Sequence, residues 1–204
     1  MSKAVKYYEI YEEKKMKYFK KIEGDRLYLS PMNPEDYELY TKWLNDLKTT
    51  TCLGNVTSTF GLNVEKEAIE RFEKEGNHFA IIKKDTDELL GNCSLFDINH
   101  IHDTCEIGIF IGEETDRGKG YGPEAMELIL SYGFRILNLN NIMLNVASFN
   151  SRGIMAYEKI GFKEMGRRSE AIKINNKKYD RIFMEILNKN FVNTCYNENF
   201  PDHM

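Results

Sequence analysis

Apolar residues recur at every second position in several parts of the chain, which is the pattern of β-strands with one buried face. The segment RLYLSPM (26–32) alternates in this way, and the segments that follow residue 77 are apolar or β-branched with short polar turns between them. Seven strands are predicted: 26–32, 78–84, 89–98, 104–112, 141–147, 163–174 and 178–187. The spacing of the second to fourth predicts an antiparallel meander, and Asn175-Asn176 indicates a hairpin between the last two.

Helical spacing of apolar residues appears in four further segments. Asn33 and Pro34 give the first helix a capping residue and a proline in its first turn, and this helix is expected to reach about Asp46. The other helices are expected at 64–74, 123–139 and 151–160, whereas 49–61 is polar and is predicted to be a loop. This order of strands and helices predicts a mixed α/β sheet with helices packed on it.

The length of the chain and the composition of its two ends predict one domain with an additional segment at each end. Residues 1–23 are rich in Lys, Glu and Tyr and are expected to form an N-terminal extension, either an added helix or a loose arm. Residues 24–188 are predicted to be the folded domain, and the polar residues 189–204 a weakly ordered tail.

Composition narrows the classes of function. The net charge of −4 and the pI near 5.7 argue against general nucleic-acid binding, which needs a basic surface. No apolar run is long enough to span a membrane and the first residues lack a secretory signal, so we expect a cytoplasmic protein without a membrane partner. Without C-x-x-C pairs or zinc-like histidine spacing, no metal site is expected, and the thiols are expected to be buried and reduced: Cys52, Cys93, Cys105 and Cys195.

A glycine-rich segment, RGKGYG (117–122), stands between a predicted strand and a predicted helix. Its glycines permit unusual backbone angles and expose N–H groups at a helix N-terminus, which favours an anion. Arg117 and Lys119 add positive charge, so the segment is a candidate pyrophosphate site, although a tight strand-to-helix connection would use the same residues. It is neither a Walker A loop nor a dinucleotide fingerprint, because Gly120 and Pro123 stand where those motifs require other residues.

A second motif downstream makes the resemblance specific. The segment R-x-x-G-x-G (117–122) resembles motif A of the GNAT superfamily of N-acetyltransferases, and Asn150-x6-Tyr157-x3-Gly161-Phe162 resembles its motif B. The resemblance covers residues 26–187. Within the superfamily the sequence is similar to the ribosomal-protein N-terminal acetyltransferases and to the spermidine acetyltransferases, the latter through residues 96–110 and 132–139. The resemblance implies an α/β (α+β) fold of GNAT type, with a mixed, mostly antiparallel sheet flanked by helices. The sequence departs from the spermidine acetyltransferase branch in a longer connection at 112–116 and in its first 23 residues, and these departures bear on the acceptor rather than on the cofactor.

The resemblance also implies a set of acetyl-CoA contacts. Ile109, Phe110 and Ile111 would offer backbone groups to the pantetheine arm and the acetyl carbonyl. Asn150 would hydrogen-bond the pantetheine chain. The pyrophosphate would be held by six residues: Arg117, Gly118, Lys119, Gly120, Tyr121 and Gly122.

Amine acetylation requires a base and an acid. An amine with a Lys-like pKa of ~10.4 is mostly protonated at neutral pH and must lose a proton before it attacks a thioester. Glu106, an acidic residue in an apolar strand, is the candidate base, although a solvent-facing or ion-paired glutamate fits the sequence equally well. Tyr157 is the candidate acid for the departing thiolate, the alternative being a packed core aromatic. Cys105 is interpreted as a packing residue because no activating partner adjoins it.

Several acceptors stay open. The expected reaction is direct transfer in a ternary complex to a small amine, such as a polyamine, or to a protein N-terminus. A sensor that binds acetyl-CoA without turnover and an aminoglycoside-type resistance acetyltransferase are the alternatives, and homo-oligomerisation is left open. Carboxylates on the two first helices would suit a cationic acceptor if they line its groove, although solvated helix faces explain most of them: Glu35, Asp36, Glu38, Glu65, Glu67, Glu70 and Glu73.

Overall fold

The computed structural model describes residues 16–54 and 56–192. Its eight strands are β1 (Ile22–Glu23), β2 (Leu27–Pro31), β3 (His78–Lys83), β4 (Leu89–Asn99), β5 (Thr104–Ile111), β6 (Asn141–Ala147), β7 (Lys163–Ile174) and β8 (Lys177–Leu187). Its α-helices are α1 (Tyr37–Leu44), α2 (Leu47–Leu53), α3 (Leu62–Glu75), α4 (Tyr121–Ser131) and α5 (Ser151–Ile160). A π-helical turn, Tyr132–Ile136, extends α4. The expectations for residues 1–15, for Cys195 and for most of the tail lie outside the described residues.

All eight strands form one sheet in the order β1-β2-β3-β4-β5-β6-β8-β7. Every neighbouring pair is antiparallel except β5 and β6. The expected meander is therefore confirmed, since β3, β4 and β5 are consecutive antiparallel neighbours. The hairpin between β7 and β8 is also confirmed: Asn175 and Asn176 have φ of +49° and +61°, as a turn with two left-handed residues requires.

The sheet is covered on both faces. On the first face, α4 buries Leu128, Ile129 and other apolar side chains against the strands, and α5 packs beside it. On the second face, α1 and α3 bury a smaller cluster around Tyr40, Trp43 and Ile69. Phe110 of β5 lies in this second cluster, with edge-to-face contacts to Tyr40 and Trp43.

The loop predicted at 49–61 is partly wrong, because α2 begins at Leu47 and ends at Leu53. Asp46 caps this helix by accepting hydrogen bonds from the backbone N–H groups of Lys48 and Thr49, and Gly54 ends it in the left-handed conformation. The helix places Cys52 at the surface, so the expectation of buried cysteines is wrong there, whereas Cys93 and Cys105 are buried as predicted.

Residues 16–23, assigned from sequence to the extension, pack against the domain. Ile22 and Glu23 form β1, which pairs with β2. Tyr18 is 8% exposed, and its hydroxyl donates to the Asp36 carboxylate. No helix within residues 16–54 and 56–192 is long and apolar enough to cross a membrane.

Candidate active site

The two central strands of the sheet separate along their length. β5 and β6 pair only between residues 104–106 and 141–143, whereas β5 stays paired with β4 as far as Ile111 and β6 with β8 as far as Ala147. A cleft of about 540 Å³ opens where they part, and helices α2, α4 and α5 contribute to its walls. The backbone groups of both strand edges therefore face a shared opening.

The glycine-rich turn, residues 117–122, lies at this cleft and leads into α4. Gly118 and Gly120 have φ of +80° and +87°, a left-handed conformation that glycine adopts without steric cost. Among the described residues, no backbone N–H of 118–122 donates a hydrogen bond. A Cβ at Gly122 would meet no atom within 4 Å. Free donors, open space and a helix N-terminus together suit a phosphate group.

The side chain of Arg117 is held by the protein. Its Nε donates to the Ile111 carbonyl at 3.0 Å, and its Nη2 donates to the Gly112 carbonyl and to Thr49 Oγ1, each at 2.6 Å. These contacts tie the turn to the end of β5 and to α2. The guanidinium therefore organises the turn, and its donors are largely used within the protein.

Lys119 and Tyr121 do not line the cleft, in contrast to the other four residues of the turn. Lys119 Nζ lies 3.2 Å from Asp116 Oδ1, and the Arg26 guanidinium lies over the Tyr121 ring, 5.0 Å from its centroid. What these two residues offer a ligand in the cleft is their free backbone N–H groups.

The pair of residues that holds this turn in place could not be predicted from the sequence. Glu124, in the first turn of α4 and 6% exposed, accepts hydrogen bonds from the backbone N–H groups of Arg26 and Leu27 and from Arg26 Nε at 2.8 Å. Arg26 also donates to the Lys119 carbonyl at 2.9 Å. Because the partners are 98 residues apart, no local motif could have indicated this contact.

Asn150 caps α5 on the opposite wall of the cleft. Its Oδ1 accepts a hydrogen bond from the Gly153 N–H at 3.0 Å, and its Nδ2 donates to no described residue. A Cβ at Gly153 would come within 2.7 Å of that Nδ2, so glycine is needed for this arrangement. The amide thus has one end fixed by the helix and one end left for a ligand.

Arg152 was not identified from the sequence. It lies in the first turn of α5, is exposed and lines the cleft without an ion pair to any described residue. One of its guanidinium nitrogens would be 3.7 Å from a Cβ at Gly118, so it adjoins the glycine-rich turn. It is the cation at this cleft that has the most donors left for a phosphate.

Tyr157 lines the cleft from α5, two turns after Asn150. Burial, with a smaller contribution from nearby Cys52, raises the pKa of Tyr157 above its usual value. The hydroxyl donates to no described side chain or backbone group, although the ring packs edge-to-face on Phe162 at 6.0 Å. The phenol is therefore protonated at neutral pH and has its proton to donate.

The three predicted contact residues of β5 all line the cleft, namely Ile109, Phe110 and Ile111. Glu106 lies at the last position where β5 pairs with β6, opposite Phe96 on β4 and Met143 on β6. The residues of β5 that line the cleft begin at Ile107, so Glu106 adjoins the apex of the opening rather than its wall.

The acidic residues predicted for a groove differ in burial and in pairing. Asp36 is buried and pairs with Lys17, so it is occupied by the protein itself. Glu38, Glu67 and Glu73 are exposed, as expected for solvated helix faces. Glu65 of α3 differs from these: it is 5% exposed, has no partner among the described residues, and burial raises its pKa.

No group of three or more His, Cys, Asp or Glu side chains among the described residues could hold a metal ion. His100 and His102 are exposed in the turn between β4 and β5, away from the cleft. The polar side chains that line the cleft include one phenol, two amides, one carboxylate, one thiol and two guanidinium groups, of which that of Arg152 has no ion pair with a described residue.

Comparison with known proteins gives a family match over most of the chain. The acetyltransferase (GNAT) domain family matches residues 26–163. A protein of Bacillus licheniformis described as an uncharacterized N-acetyltransferase is 28% identical over 172 residues, which is 82% of this chain and 96% of the relative. The spermidine N(1)-acetyltransferase of Vibrio cholerae is 38% identical over 105 residues, 52% of this chain and 60% of that enzyme.

Solved structures agree with this match. A GNAT-family acetyltransferase of Bacillus anthracis has a TM-score of 0.72 at 23% identity, over 82% of this chain and 98% of its own, which supports the fold alone. A spermidine N-acetyltransferase of Vibrio cholerae, solved in complex with CoA and spermine, has a TM-score of 0.72 at 26% identity, over 81% of this chain and 97% of its own.

Proposed function

Because the chain belongs to the GNAT family of acetyl-CoA-dependent N-acetyltransferases, we propose that it transfers the acetyl group directly to a primary amine of a small cationic acceptor. The observation that carries the proposal is the cleft between β5 and β6, which joins free strand edges to the free N–H groups of the glycine-rich turn. In acetyl-CoA, the diphosphate matches the free N–H groups of the turn. The amide-containing arm that carries the thioester matches the free strand edges.

The residues present fit acetyl-CoA. Backbone N–H groups of 118–122 would hold the pyrophosphate, and the unpaired guanidinium of Arg152 would supply the charge that the held side chain of Arg117 does not. Asn150 Nδ2 would donate to an amide carbonyl of the pantetheine arm. The edge of β5 at 109–111 would pair with the same arm in the manner of an added strand.

Tyr157 is proposed as the acid. The amine attacks the thioester carbonyl, the C–S bond breaks, and the phenol protonates the departing thiolate. Since burial raises the pKa of Tyr157, this proton is present over the whole neutral range. No covalent enzyme intermediate is required, because an amine held beside the thioester in a ternary complex attacks it directly. Glu106, the base predicted from the sequence, adjoins the apex of the cleft without lining it.

A cationic acceptor is supported by Glu65. A buried carboxylate without a partner pays a desolvation penalty that a bound ammonium would relieve. It lies on α3, which together with α1 covers the second face of the sheet. The Vibrio cholerae relative that was solved with CoA and spermine has the same fold, so a polyamine is the first acceptor to test.

The test is thiol release from acetyl-CoA with a panel of spermidine, spermine, an aminoglycoside, single amino acids and short peptides with free N-termini. We expect turnover with the polyamines, and Glu65→Gln should raise KM for them with kcat less affected. Turnover only with peptides would replace the small cation by a protein N-terminus as acceptor. An unchanged KM in Glu65→Gln would remove Glu65 from acceptor binding.

A further inference from the structure

A hydrogen-bonded chain of three side chains lies on the second face of the sheet. His78 Nδ1 is 2.8 Å from Ser94 Oγ, and His78 Nε2 is 2.8 Å from Glu75 Oε2. His78 and Ser94 are each 7% exposed, whereas the Glu75 side chain is 50% exposed. The Phe72 ring stacks on the imidazole at 4.3 Å between centroids. The chain thus runs from a buried hydroxyl to a carboxylate in contact with solvent.

Hydrogen-bonding capacity fixes the direction of this chain. A carboxylate only accepts, so Nε2 carries the proton that His78 donates to Glu75. Nδ1 then accepts from the Ser94 hydroxyl, and the Ser94 oxygen keeps lone pairs for an N–H donor. Burial lowers the pKa of His78 below its usual value, so the imidazole is neutral at pH 7 and able to take a proton.

The buried end of the chain adjoins the apex of the cleft. Ser94 on β4 lies directly opposite Gly108 on β5, and Gly108 lines the cleft where the strands part. Opposed residues of antiparallel strands have Cα atoms about 5 Å apart. Among the described residues, only the Phe96 ring comes within 4 Å of the position of a Cβ at Gly108. A glycine at this place leaves Ser94 without a β5 side chain between it and the opening.

A second acceptor lies on the same face. Asn92, two residues before Ser94 on β4 and opposite the cleft residue Phe110, has a buried Oδ1 that accepts from no described residue. A buried carbonyl oxygen without a donor costs free energy that an N–H group would recover. The face of β4 beside the apex is therefore prepared for a ligand that donates hydrogen bonds.

We propose that Ser94 contacts the acceptor amine at the apex of the cleft and passes one of its protons to His78, which Glu75 positions. The inference rests on the proposed acetyl transfer and deepens it, because it assigns the route by which the ammonium is deprotonated. Ser94 is the residue that touches the substrate, and Glu75 acts only through the imidazole.

The protons balance in two steps. An ammonium N–H passes its proton to Ser94 Oγ while the Ser94 proton moves to His78 Nδ1, and the freed lone pair forms the C–N bond. When the C–S bond breaks, Tyr157 protonates the thiolate, and the second nitrogen proton returns to the tyrosinate. The imidazolium then releases its Nε2 proton to water at the exposed Glu75 side, and proton exchange with solvent restores the Nε2–H tautomer before the next cycle.

Two exposed charges on α3 act on His78 in opposite directions. Glu75 raises the pKa of His78, opposing the larger effect of burial, and Arg71 lowers it. From β4, the groups that face the imidazole are Ser94 and, further along, Asn92, and both are uncharged. Glu75 and Arg71 can therefore be used to shift the titration of His78 without altering the cleft.

The experiment follows kcat and kcat/KM against pH with the amine that the wild-type protein acetylates. Because His78 must be neutral, the rate should fall as pH drops through its pKa. Glu75→Gln should move this acidic limb to lower pH, and Arg71→Gln should move it to higher pH. His78→Gln should lower kcat about 100-fold near neutrality and abolish the limb. His102→Gln, an exposed histidine away from the cleft, is the control and should leave the profile unchanged.

If the acidic limb stays in place in both Glu75→Gln and Arg71→Gln, the proposed proton transfer from Ser94 to His78 is wrong. If the limb disappears only in Glu106→Gln, Glu106 takes the proton instead. These outcomes leave acetyl transfer intact. Absence of transfer by the wild-type protein to every amine would overturn the proposed function itself, and with it this inference. The two failures are thus distinguishable.

Discussion

At the residue scale, the chemistry of the cleft depends on groups whose hydrogen bonds are only half used. Asn150 gives its carbonyl oxygen to the cap of α5 and keeps its NH2 group, and Tyr157 is held by packing on Phe162 while its hydroxyl has no described partner. Fixing one end of a side chain lowers the entropy lost when the other end meets a ligand. Such residues are positioned before any substrate arrives.

We expect Tyr157→Phe to lower kcat about 100-fold, because the thiolate then departs without a proton donor. The Kd for acetyl-CoA should stay within about twofold, since the phenyl ring still packs on Phe162. The raised pKa of Tyr157 also predicts that the wild-type rate falls at alkaline pH only above 10, the usual value for tyrosine.

Initial rates and calorimetric binding check this expectation. A wild-type kcat in Tyr157→Phe, measured where chemistry limits turnover, would exclude the phenol as the acid.

Residues that belong to a contiguous motif could be predicted from the sequence, and residues defined by distant contacts could not. Asn150, Tyr157 and the glycine-rich turn follow from fixed spacings next to recognisable elements. The contact of Arg26 with Glu124 joins positions 98 residues apart, so no window of the sequence contains both.

At the scale of elements, the glycine-rich turn could be predicted from the sequence pattern, whereas the helix α2 could not. The turn was evident because three glycines stand between a strand and a helix. The helix α2 was missed because its β-branched threonines favour other structures, while its cap at Asp46 and its end at Gly54 depend on local hydrogen bonds and on φ of +78°.

We expect Gly120→Glu to raise the Kd for acetyl-CoA at least about tenfold, roughly 1.4 kcal/mol, because it places a negative charge and a side chain where the pyrophosphate would bind. Gly76→Glu is the matched control: it has a similar φ, +80° against +87°, but ends α3 away from the cleft. Both changes introduce left-handed strain of about 1–2 kcal/mol, so both should lower Tm. Equal acetyl-CoA affinities in calorimetry would show that the turn does not bind the phosphates.

A second prediction concerns the connection from β5 to α4. A Cβ at Gly112 would lie 2.1 Å from Trp43 Cδ2, so Gly112→Ala should lower the free energy of unfolding by about 2 kcal/mol. Gly166→Ala, where a Cβ meets no atom within 4 Å, should change it by less than about 1 kcal/mol. Urea unfolding of the two variants measures the difference, and similar midpoints would contradict the close packing of Trp43.

At the scale of the whole molecule, the order of strands and helices was predictable because each has its own hydrophobic period and its own turn residues. The partial separation of β5 from β6 was not, because strand pairing is a property of two segments about 30 residues apart and of the helices that cover them. The sequence therefore predicted where the chemistry lies along the chain more fully than how wide the opening is.

The connection after β5 also links the glycine-rich turn to helices α1 and α2 through side-chain hydrogen bonds. Lys42 and Trp43 of α1 donate to Glu113, Lys48 of α2 donates to Glu114, and Arg117 donates to Thr49. Immobilising the glycine-rich turn with a diphosphate should therefore also immobilise the helices that cover the acceptor side.

Thermodynamic linkage makes this reciprocal: CoA and the amine should raise each other's affinity by one common factor, about 5-fold or more if the coupling reaches roughly 1 kcal/mol. Calorimetric titration of the amine with and without CoA measures that factor, and Lys42→Gln should reduce it while leaving the affinity for CoA alone unchanged. The connection would then make the binding of the two substrates cooperative, so that each one bound favours the ternary complex.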